Sequence, residues 1–209
     1  MVYIFYIRSM ITTKAARTHQ YILDKVAPIF NKNGYIGTSM SDITKATGLT
    51  KGAIYGNFKN KEELALEAFS YNVQFIMDKI RFILNDIESP IAKLFALTNF
   101  YREYYKYNLP RGGCPLLNVA TDANYTNPEL FQRAKYVIEK LKNGIVKMLV
   151  DGIEKGEIKN TIDAEKYGGR IFSLIEGAVF TSVMLRDDSY LLDMMNHIDK
   201  MIQTELQVK

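Results

Sequence analysis

The 209-residue sequence predicts an all-α fold with about nine helices. Apolar side chains recur at three- and four-residue intervals along nearly the whole chain, the spacing that places them on one face of a helix. Alternating apolar and polar runs, which indicate β-strands, are scarce. Hydrophobic residues make up 47% of the chain and charged residues 24%, which is typical of a globular protein and excludes a disordered one.

Each predicted helix after the first begins at a capping residue or at a proline in its first turn. In chain order these signals are Ser39 with Asp42, Thr50, Asn60 with Glu63, Ser89-Pro90, Pro115, Asn127-Pro128, Asp163 and Asp187-Asp188-Ser189. Turns with glycine at 34, 48 and 156 end the first, second and seventh helices. The predicted helices are 13–33, 40–47, 51–58, 61–86, 90–107, a short one from 115, 128–156, 164–186 and one from 189.

Charge is distributed unevenly along the chain. Residues 1–61 carry nine Lys and Arg against two acids, a net charge of +7, and residues 62–209 carry a net charge of −3. Such a division favours an anionic partner for the first segment, although a solvated basic surface would have the same composition. The uneven distribution of charge also predicts two domains, 1–61 and 62–209.

The stretch 39–58 has the pattern of a helix-turn-helix, two short helices joined by a tight turn at Gly48. Its apolar residues predict a small core against the first helix, formed by Met40, Ile43, Ala46, Leu49, Ile54 and Phe58. This leaves the following residues on the outer face of the second short helix: Thr50, Lys51, Gly52, Ala53, Tyr55 and Asn57. The free N–H groups and partial positive charge of a helix N-terminus suit phosphate oxygens. An ordinary helical corner would show similar spacing.

Three runs in this region resemble the DNA-binding domain of the TetR/AcrR repressors. They are GYIGTSMSDI at 34–43, ATGLTKGAIY at 46–55 and FKNKEEL at 58–64, and the similarity extends over about residues 12–64. The run GCPLLN at 113–118 resembles one recurring subgroup of these regulators.

The resemblance implies a homodimeric repressor with a palindromic operator. It implies that helices 1–3 bind double-stranded DNA, helices 4–7 enclose a small effector and helices 8 and 9 form the dimer interface. The DNA contacts carried over are Thr38, Ser39, Thr50, Lys51, Gly52, Ala53, Tyr55 and Lys61, with Asn57 as a further candidate. The sequence departs from the family pattern at Thr44, often Ala, and at Gly56-Asn57, which replaces a frequent His-containing pair.

Residues for an effector site come from the larger domain. Large side chains that could wall an apolar cavity are Phe95, Tyr104, Leu117, Phe131 and Phe172, and the polar candidates are Arg111, Cys114, Asn118 and Glu176. A mostly apolar site with a few polar groups suits a small lipophilic or aromatic molecule, although aromatic stripes on helices also form ordinary cores. Glu176 lies in an apolar stretch and needs a partner, for which the candidates are Arg170, Arg111 or a polar group of the effector. Cys114 is either a buried apolar residue or a thiol sensor.

The predicted dimer interface uses one apolar stripe from each of the last two helices. These stripes are Ile171, Ile175, Val179 and Val183 in the eighth helix and Leu191, Met195, Ile198 and Ile202 in the ninth. Gly168, Gly169 and Gly177 would permit close helix approach at the same interface.

The sequence lacks the residue patterns that are typical of other functional classes. The sequence shows no Ser-His-Asp or Cys-His set, no Gly-rich phosphate loop and no metal-ligand spacing, so we expect no enzyme activity, metal or cofactor. No run approaches 18 uninterrupted apolar residues, so we expect a cytoplasmic protein without a membrane partner. The competing hypothesis, a helical ligand-binding protein without DNA regulation, disagrees with the basic first segment. Residues 1–9 are either an arm that brings Arg8 to DNA or, as we favour, an overlong start before Met10.

Overall fold

The structure is a computed structural model that describes residues 13–208, apart from the side chains of residues 120 and 121; the N-terminal segment with Arg8 lies outside this range. Within it the chain forms nine α-helices: α1 Lys14–Gly37, α2 Met40–Thr47, α3 Lys51–Tyr55, α4 Lys61–Leu84, α5 Pro90–Asn108, α6 Pro115–Ala123, α7 Pro128–Glu154, α8 Ala164–Leu185 and α9 Ser189–Met201. The only β-type pairing in the described range is an isolated bridge between Ile158 and Gln207. The all-α prediction is confirmed.

Local signals account for most of the helix ends. The side chains of Ser39, Thr50, Asn60, Ser89, Asn127 and Asp163 each accept a hydrogen bond from a backbone N–H in the first turn of the helix that follows. At α9 the expected cap differs, because the N–H of Ser189 donates to Asp187 and Asp188 makes no capping bond. Helix α3 ends at Tyr55 rather than at 58, and single turns continue to Phe58.

Helix α1 is longer than predicted and is interrupted where the sequence placed its end. Gly34 has φ 73° and ψ 175°, a conformation that is essentially restricted to glycine. Helical turns resume after this break, and α1 ends at Gly37. Gly34 therefore divides α1 into two segments instead of stopping it.

Among the described residues two hydrophobic clusters form the core, and α4 belongs to both. Leu64 and Ala68 complete the cluster of α1–α3, whereas Phe69 and Ile76 face the larger cluster built from α5–α9. The predicted boundary between residues 61 and 62 thus falls at the first residue of a helix that the two clusters share.

The stripes predicted for the dimer interface lie inside the protomer instead. Ile171, Ile175, Val179, Leu191, Met195, Ile198 and Ile202 are all buried in the larger cluster, with Val183 packed against it. Gly168 also serves this core, because a Cβ there would lie 2.4 Å from Val146 Cγ2 of α7. The interface prediction was wrong in its residues, since α8 is apolar on more than one face and the sequence does not show which face meets the neighbouring helices.

Candidate DNA-binding face and effector cavity

The helix-turn-helix is held rigidly against α1. Ile43 and Ile54 are buried between the helices, and the ring of Phe58 stacks on His19 with 4.4 Å between centroids. The hydroxyl of Tyr21 donates to the carbonyl oxygen of Thr47 at 2.9 Å, which fixes the end of α2 to α1. The turn that follows uses Gly48 at φ 68°. This packing fixes the orientation of α3 relative to α1 and α2.

Helix α3 presents its N-terminal turn to solvent. Lys51, Gly52 and Tyr55 are exposed, and Ala53 is half-buried. Thr50 is also exposed, and its hydroxyl oxygen accepts the N–H of Ala53 at 3.2 Å. These predicted DNA residues share one surface with little side-chain cover.

Asn57 lies one turn beyond that surface and is half-buried. Its side-chain amide donates to the carbonyl oxygen of Ala53 at 2.9 Å. Asn57 therefore braces the end of α3 in addition to being a candidate contact.

Thr38, Ser39 and Lys61 differ in their access to that surface. Thr38 is fully buried and its hydroxyl donates to the carbonyl oxygen of Gly34, so its side chain is not on the DNA-facing surface. Ser39 is exposed and caps α2 in a reciprocal pair with Asp42. Lys61 is half-buried, with Nζ 4.5 Å from the ring centroid of Tyr35.

A cluster of side chains joins the broken part of α1 to α6. In an unbroken helix the N–H of Tyr35 would donate to the carbonyl oxygen of Asn31. At the Gly34 break, Tyr35 instead donates to Asp122 of α6, and Asn118 Nδ2 donates to the Asn31 carbonyl oxygen at 2.8 Å. Asn118 and Asp122, one turn apart, thus replace the hydrogen bond that α1 loses.

This α1–α6 joint, formed by Asn31, Gly34, Tyr35, Asn118 and Asp122, extends into the loop before α6. Asn31 Nδ2 donates to the carbonyl oxygens of residues 111 and 113, and Asn118 Nδ2 lies 2.7 Å from that of residue 112. Asn118, predicted as an effector anchor, therefore holds the two domains together. The glycine at position 34 is visible in the sequence. The α6 residues that take over the hydrogen bonds at the break, Asn118 and Asp122, follow it by 84 and 88 residues.

Three of the predicted effector residues form one polar cluster in the larger core. Cys114 Sγ lies 3.7 Å from Glu176 Oε2 and also contacts the Tyr104 hydroxyl. Neither Arg111 nor Arg170 pairs with Glu176. The guanidinium of Arg111 lies 4.1 Å from the ring centroid of Phe75, and that of Arg170 lies over Tyr167.

Burial controls the protonation of this cluster. It raises the pKa of Glu176 to about 7, partly opposed by the hydrogen bond from Cys114, because a charged carboxylate is poorly solvated there. Burial and then the nearby Glu176 raise the pKa of the Cys114 thiol to about 12. The pKa of Tyr104 is raised well above its ordinary value, again mainly by burial. Cys114 and Tyr104 are thus uncharged near neutral pH, where Glu176 titrates.

A cavity of about 270 Å³ lies beside this cluster, between α4, α5, α7 and α8. Of the nine predicted effector residues, only Phe172 lines it. Phe95, Leu117 and Phe131 are partly buried against the core, and Arg111, Asn118 and the Cys114 cluster lie elsewhere. The lining residues that the prediction missed are Met77, Ile80, Leu84, Lys93, Leu97, Tyr101, Lys140, Leu141, Gly144, Ile145, Lys147, Met148, Asp151 and Ile175. The sequence offers one signal for these lining residues, which is a shared helical face: Leu97 and Tyr101 are four residues apart and lie on the same side of α5.

The outer faces of α8 and α9 form an exposed apolar surface. Phe180, Met184 and Leu185 of α8 and Tyr190 of α9 are 50%, 65%, 58% and 46% exposed. A Cβ on Gly177, on the same side of α8, would meet no atom within 4 Å. By length and composition alone α8 could cross a membrane, but a core helix has the same composition, and the opposite face of α8 is buried in the protomer.

Both parts of the chain match known proteins. The family described as "Bacterial regulatory proteins, tetR family" matches residues 22–68, and "Tetracyclin repressor-like, C-terminal domain" matches residues 90–198. The fatty acid metabolism regulator protein of Bacillus subtilis (strain 168) is 27% identical over 173 residues, which cover 82% of this chain and 86% of that protein.

Solved structures agree over nearly the full length. A TetR-family transcriptional regulator from Cytophaga hutchinsonii is 32% identical with a TM-score of 0.86, over 95% of this chain and 98% of that one. A TetR regulator from Chloroflexus aurantiacus J-10-FL is 33% identical with a TM-score of 0.88, over 94% and 99%.

The helix-turn-helix and the helical body with its cavity define a ligand-responsive transcriptional regulator. The chain belongs to the TetR family, which confirms the resemblance found in its sequence. Regulators of this family are mostly repressors, bind operator DNA as dimers and bind small-molecule effectors. They are not normally enzymes.

Proposed function

We propose that this protein is a cytoplasmic repressor that binds a palindromic operator as a homodimer and leaves it when a small lipophilic or aromatic effector binds. The observation that carries the proposal is the exposed N-terminal turn of α3, which projects from the segment that holds a net charge of +7. Its free N–H groups and the Lys51 ammonium can neutralise phosphates while α3 approaches the bases.

The direct contacts we propose are Thr50, Lys51, Gly52, Ala53 and Tyr55 of the exposed turn, with Ser39, Asn57 and Lys61 at its edges. Gly52 has no neighbour within 4 Å of a Cβ other than Thr50 Oγ1, so the backbone can approach DNA closely. Thr38 acts indirectly, because its buried hydroxyl fixes the chain after the Gly34 break.

Dimerisation uses the exposed apolar surface of α8 and α9 rather than the stripes predicted from sequence. Phe180, Met184, Leu185 and Tyr190 would be covered by the same residues of a second copy, as in an isologous two-fold interface. The two α3 helices would then enter successive major grooves about 34–36 Å apart.

Release requires the effector to bind better to the conformation in which the two α3 helices no longer match their half-sites. A tenfold loss of DNA affinity needs about 1.4 kcal/mol of differential binding. The α1–α6 joint provides a route, because it connects α1 by hydrogen bonds to α6, which packs against α7 of the cavity wall.

The test is selection of bound sequences from random duplexes, followed by titration of the selected duplex at several salt concentrations. We expect an inverted repeat and a log–log salt slope of about −0.9 per phosphate neutralised. Lys51→Ala should reduce the magnitude of that slope by about one unit, whereas Lys135→Ala, an exposed lysine of α7, should leave it unchanged. A slope near zero would favour the helical ligand-binding protein without DNA regulation.

A further inference from the structure

The wall of the cavity between α4, α5, α7 and α8 contains a hydroxyl group without a partner. Tyr101 of α5 lines this cavity and is only 6% exposed. Its hydroxyl forms no hydrogen bond with the described part of the chain. Among the described residues that are not exposed, every side-chain oxygen or nitrogen closed off from solvent has a partner, so this hydroxyl is not closed off and borders the cavity. Buried polar groups are normally hydrogen-bonded, and the exception at Tyr101 indicates a partner from outside the chain.

A second group with an unused oxygen, Glu176, lies near Tyr101. Glu176 follows the lining residue Phe172 by four residues and therefore shares its side of α8. Its Oε2 lies 3.7 Å from Cys114 Sγ, which is a weak donor, and its Oε1 forms no hydrogen bond with the described residues. Burial, followed by the nearby Glu176 and Cys114, raises the pKa of Tyr101 well above its ordinary value, so its hydroxyl remains a donor at neutral pH. The two residues thus offer one donor and one acceptor near each other.

The chemistry of this donor and acceptor restricts the group that can bind to both. The oxygen of a hydroxyl can accept a hydrogen bond from Tyr101 while its proton is donated to Glu176. A carboxylate would have no proton to donate and would place a second negative group beside Glu176. An ammonium would have no lone pair with which to accept from Tyr101. A neutral hydroxyl therefore satisfies both residues.

We propose that the effector is a compact apolar molecule with one neutral hydroxyl, which accepts from the Tyr101 hydroxyl and donates to Glu176. This inference rests on the proposed function and specifies the chemistry of its effector. The apolar body lies against Leu97, Phe172 and Ile175 of the cavity wall, where it removes hydrocarbon surface from water. An apolar cavity of about 150 Å³ admits benzene, so one of about 270 Å³ admits two fused rings.

The same side chains connect the cavity to the α1–α6 joint. The ring centroid of Tyr101 lies 5.3 Å from that of Tyr104, whose hydroxyl contacts Cys114. Cys114 is the residue immediately before α6, and the carbonyl oxygen of Gly113 before it accepts from Asn31 Nδ2 of α1 at 3.0 Å. A ligand at Tyr101 is therefore connected through two neighbouring side chains to the hydrogen bonds that hold α1, which gives the proposed release from DNA a physical path.

The experiment is equilibrium dialysis of the full chain, without DNA and near neutral pH, against 2-naphthol, naphthalene, 2-naphthoate and 2-naphthylmethylamine. All four share one ring system and differ in the polar group. We expect 2-naphthol to bind at least about tenfold more tightly than naphthalene, because only the hydroxyl satisfies Tyr101 and Glu176. It should also bind more tightly than the carboxylate and the ammonium. Binding of naphthalene as tight as that of 2-naphthol, tighter binding of either ion, or no binding of 2-naphthol would overturn the inference.

Substitutions then test the position of the hydroxyl. Tyr101→Phe removes one oxygen atom, and it should weaken the binding of 2-naphthol by at least about fivefold while the affinity for naphthalene stays within about twofold. Glu176→Met removes the acceptor at similar size and should likewise weaken 2-naphthol but not naphthalene. Since the Tyr101 hydroxyl has no partner in the described chain, Tyr101→Phe should not lower the free energy of unfolding in urea. A purely structural role of the hydroxyl would give the opposite result.

The matched control is Tyr105→Phe, because Tyr105 is half-buried on the same helix but does not line the cavity. This variant should keep the full preference for 2-naphthol over naphthalene. An unchanged preference in Tyr101→Phe, or a loss of stability in that variant, would refute the assignment of the site.

Operator titration separates this inference from the proposed function. If 2-naphthol binds with the expected preference but leaves the affinity for DNA unchanged, the site is supported and induction through it is refuted. A protein that binds DNA with the expected salt slope but binds 2-naphthol no more tightly than naphthalene would retain its proposed function and refute the hydroxyl-bearing effector.

Discussion

Replacement of Asn118 by alanine would remove the central donor of the α1–α6 joint. Asn118 Nδ2 donates to the carbonyl oxygens of Asn31 and Gly112 at 2.8 and 2.7 Å. The Asn31 oxygen depends on this donor, because the break at Gly34 has directed the Tyr35 N–H to Asp122. Alanine therefore removes the donor shared by these two carbonyl oxygens and by Asn31 Oδ1, which lies 3.2 Å from the same nitrogen.

The expected loss follows from these two acceptors. A buried acceptor that loses its partner costs about 1–3 kcal/mol, and water can replace part of that where the site is accessible. Since Asn118 is half-buried, we expect Asn118→Ala to lower the free energy of unfolding by about 2–3 kcal/mol. Asn124→Ala is the matched control, because Asn124 is exposed at the end of the same helix, and its effect should stay within about 0.5 kcal/mol.

The assay is urea unfolding followed by circular dichroism at one fixed protomer concentration, since dimerisation contributes to stability. DNA affinity is measured with and without the effector on the same variant. If the joint transmits the signal, Asn118→Ala should reduce the effector-induced loss of DNA affinity while the effector still binds. A stability change below about 0.5 kcal/mol would refute the assignment of these hydrogen bonds, and an unchanged response to effector would refute their role in coupling.

Three further outcomes are expected. Phe180→Asp should weaken the dimer by at least about tenfold in light scattering, because the aspartate would place an unpaired charge in the dimer interface. Tyr125→Asp is the control, since this loop position is 93% exposed, and it should leave the dimer unchanged. Burial raises the pKa of Glu176 from its ordinary 4.5 to about 7, so the folded state binds the proton more tightly. The free energy of unfolding should therefore fall as pH rises from about 4.5 to about 7, and Glu176→Gln should remove about 1–3 kcal/mol of that fall in urea titrations at several pH values. With its pKa raised to about 12, the buried Cys114 thiol should react with a disulfide reagent at pH 8 at least about a hundredfold more slowly than in urea, and equal rates would contradict its burial.

The helices and the helix-turn-helix could be predicted from the sequence because the interactions that define them are local. Ser39 and Thr50 each bond to an N–H three residues away, and Gly48 adopts the left-handed conformation that its turn requires. Nothing beyond a few neighbouring residues is needed to place these features. The exposed turn of α3 follows from the same periodicity, since the residues between the apolar positions of a short helix face outward.

Residues that act through distant partners were decided only by the tertiary structure. Asn118 was predicted as an effector residue, but the sequence gives no sign that its side chain also completes a helix 87 residues earlier in the chain. Periodicity identifies an apolar stripe but not the element that covers it. Ile175 and Phe180 are both apolar residues of α8, yet only the tertiary packing buries the first and leaves the second exposed.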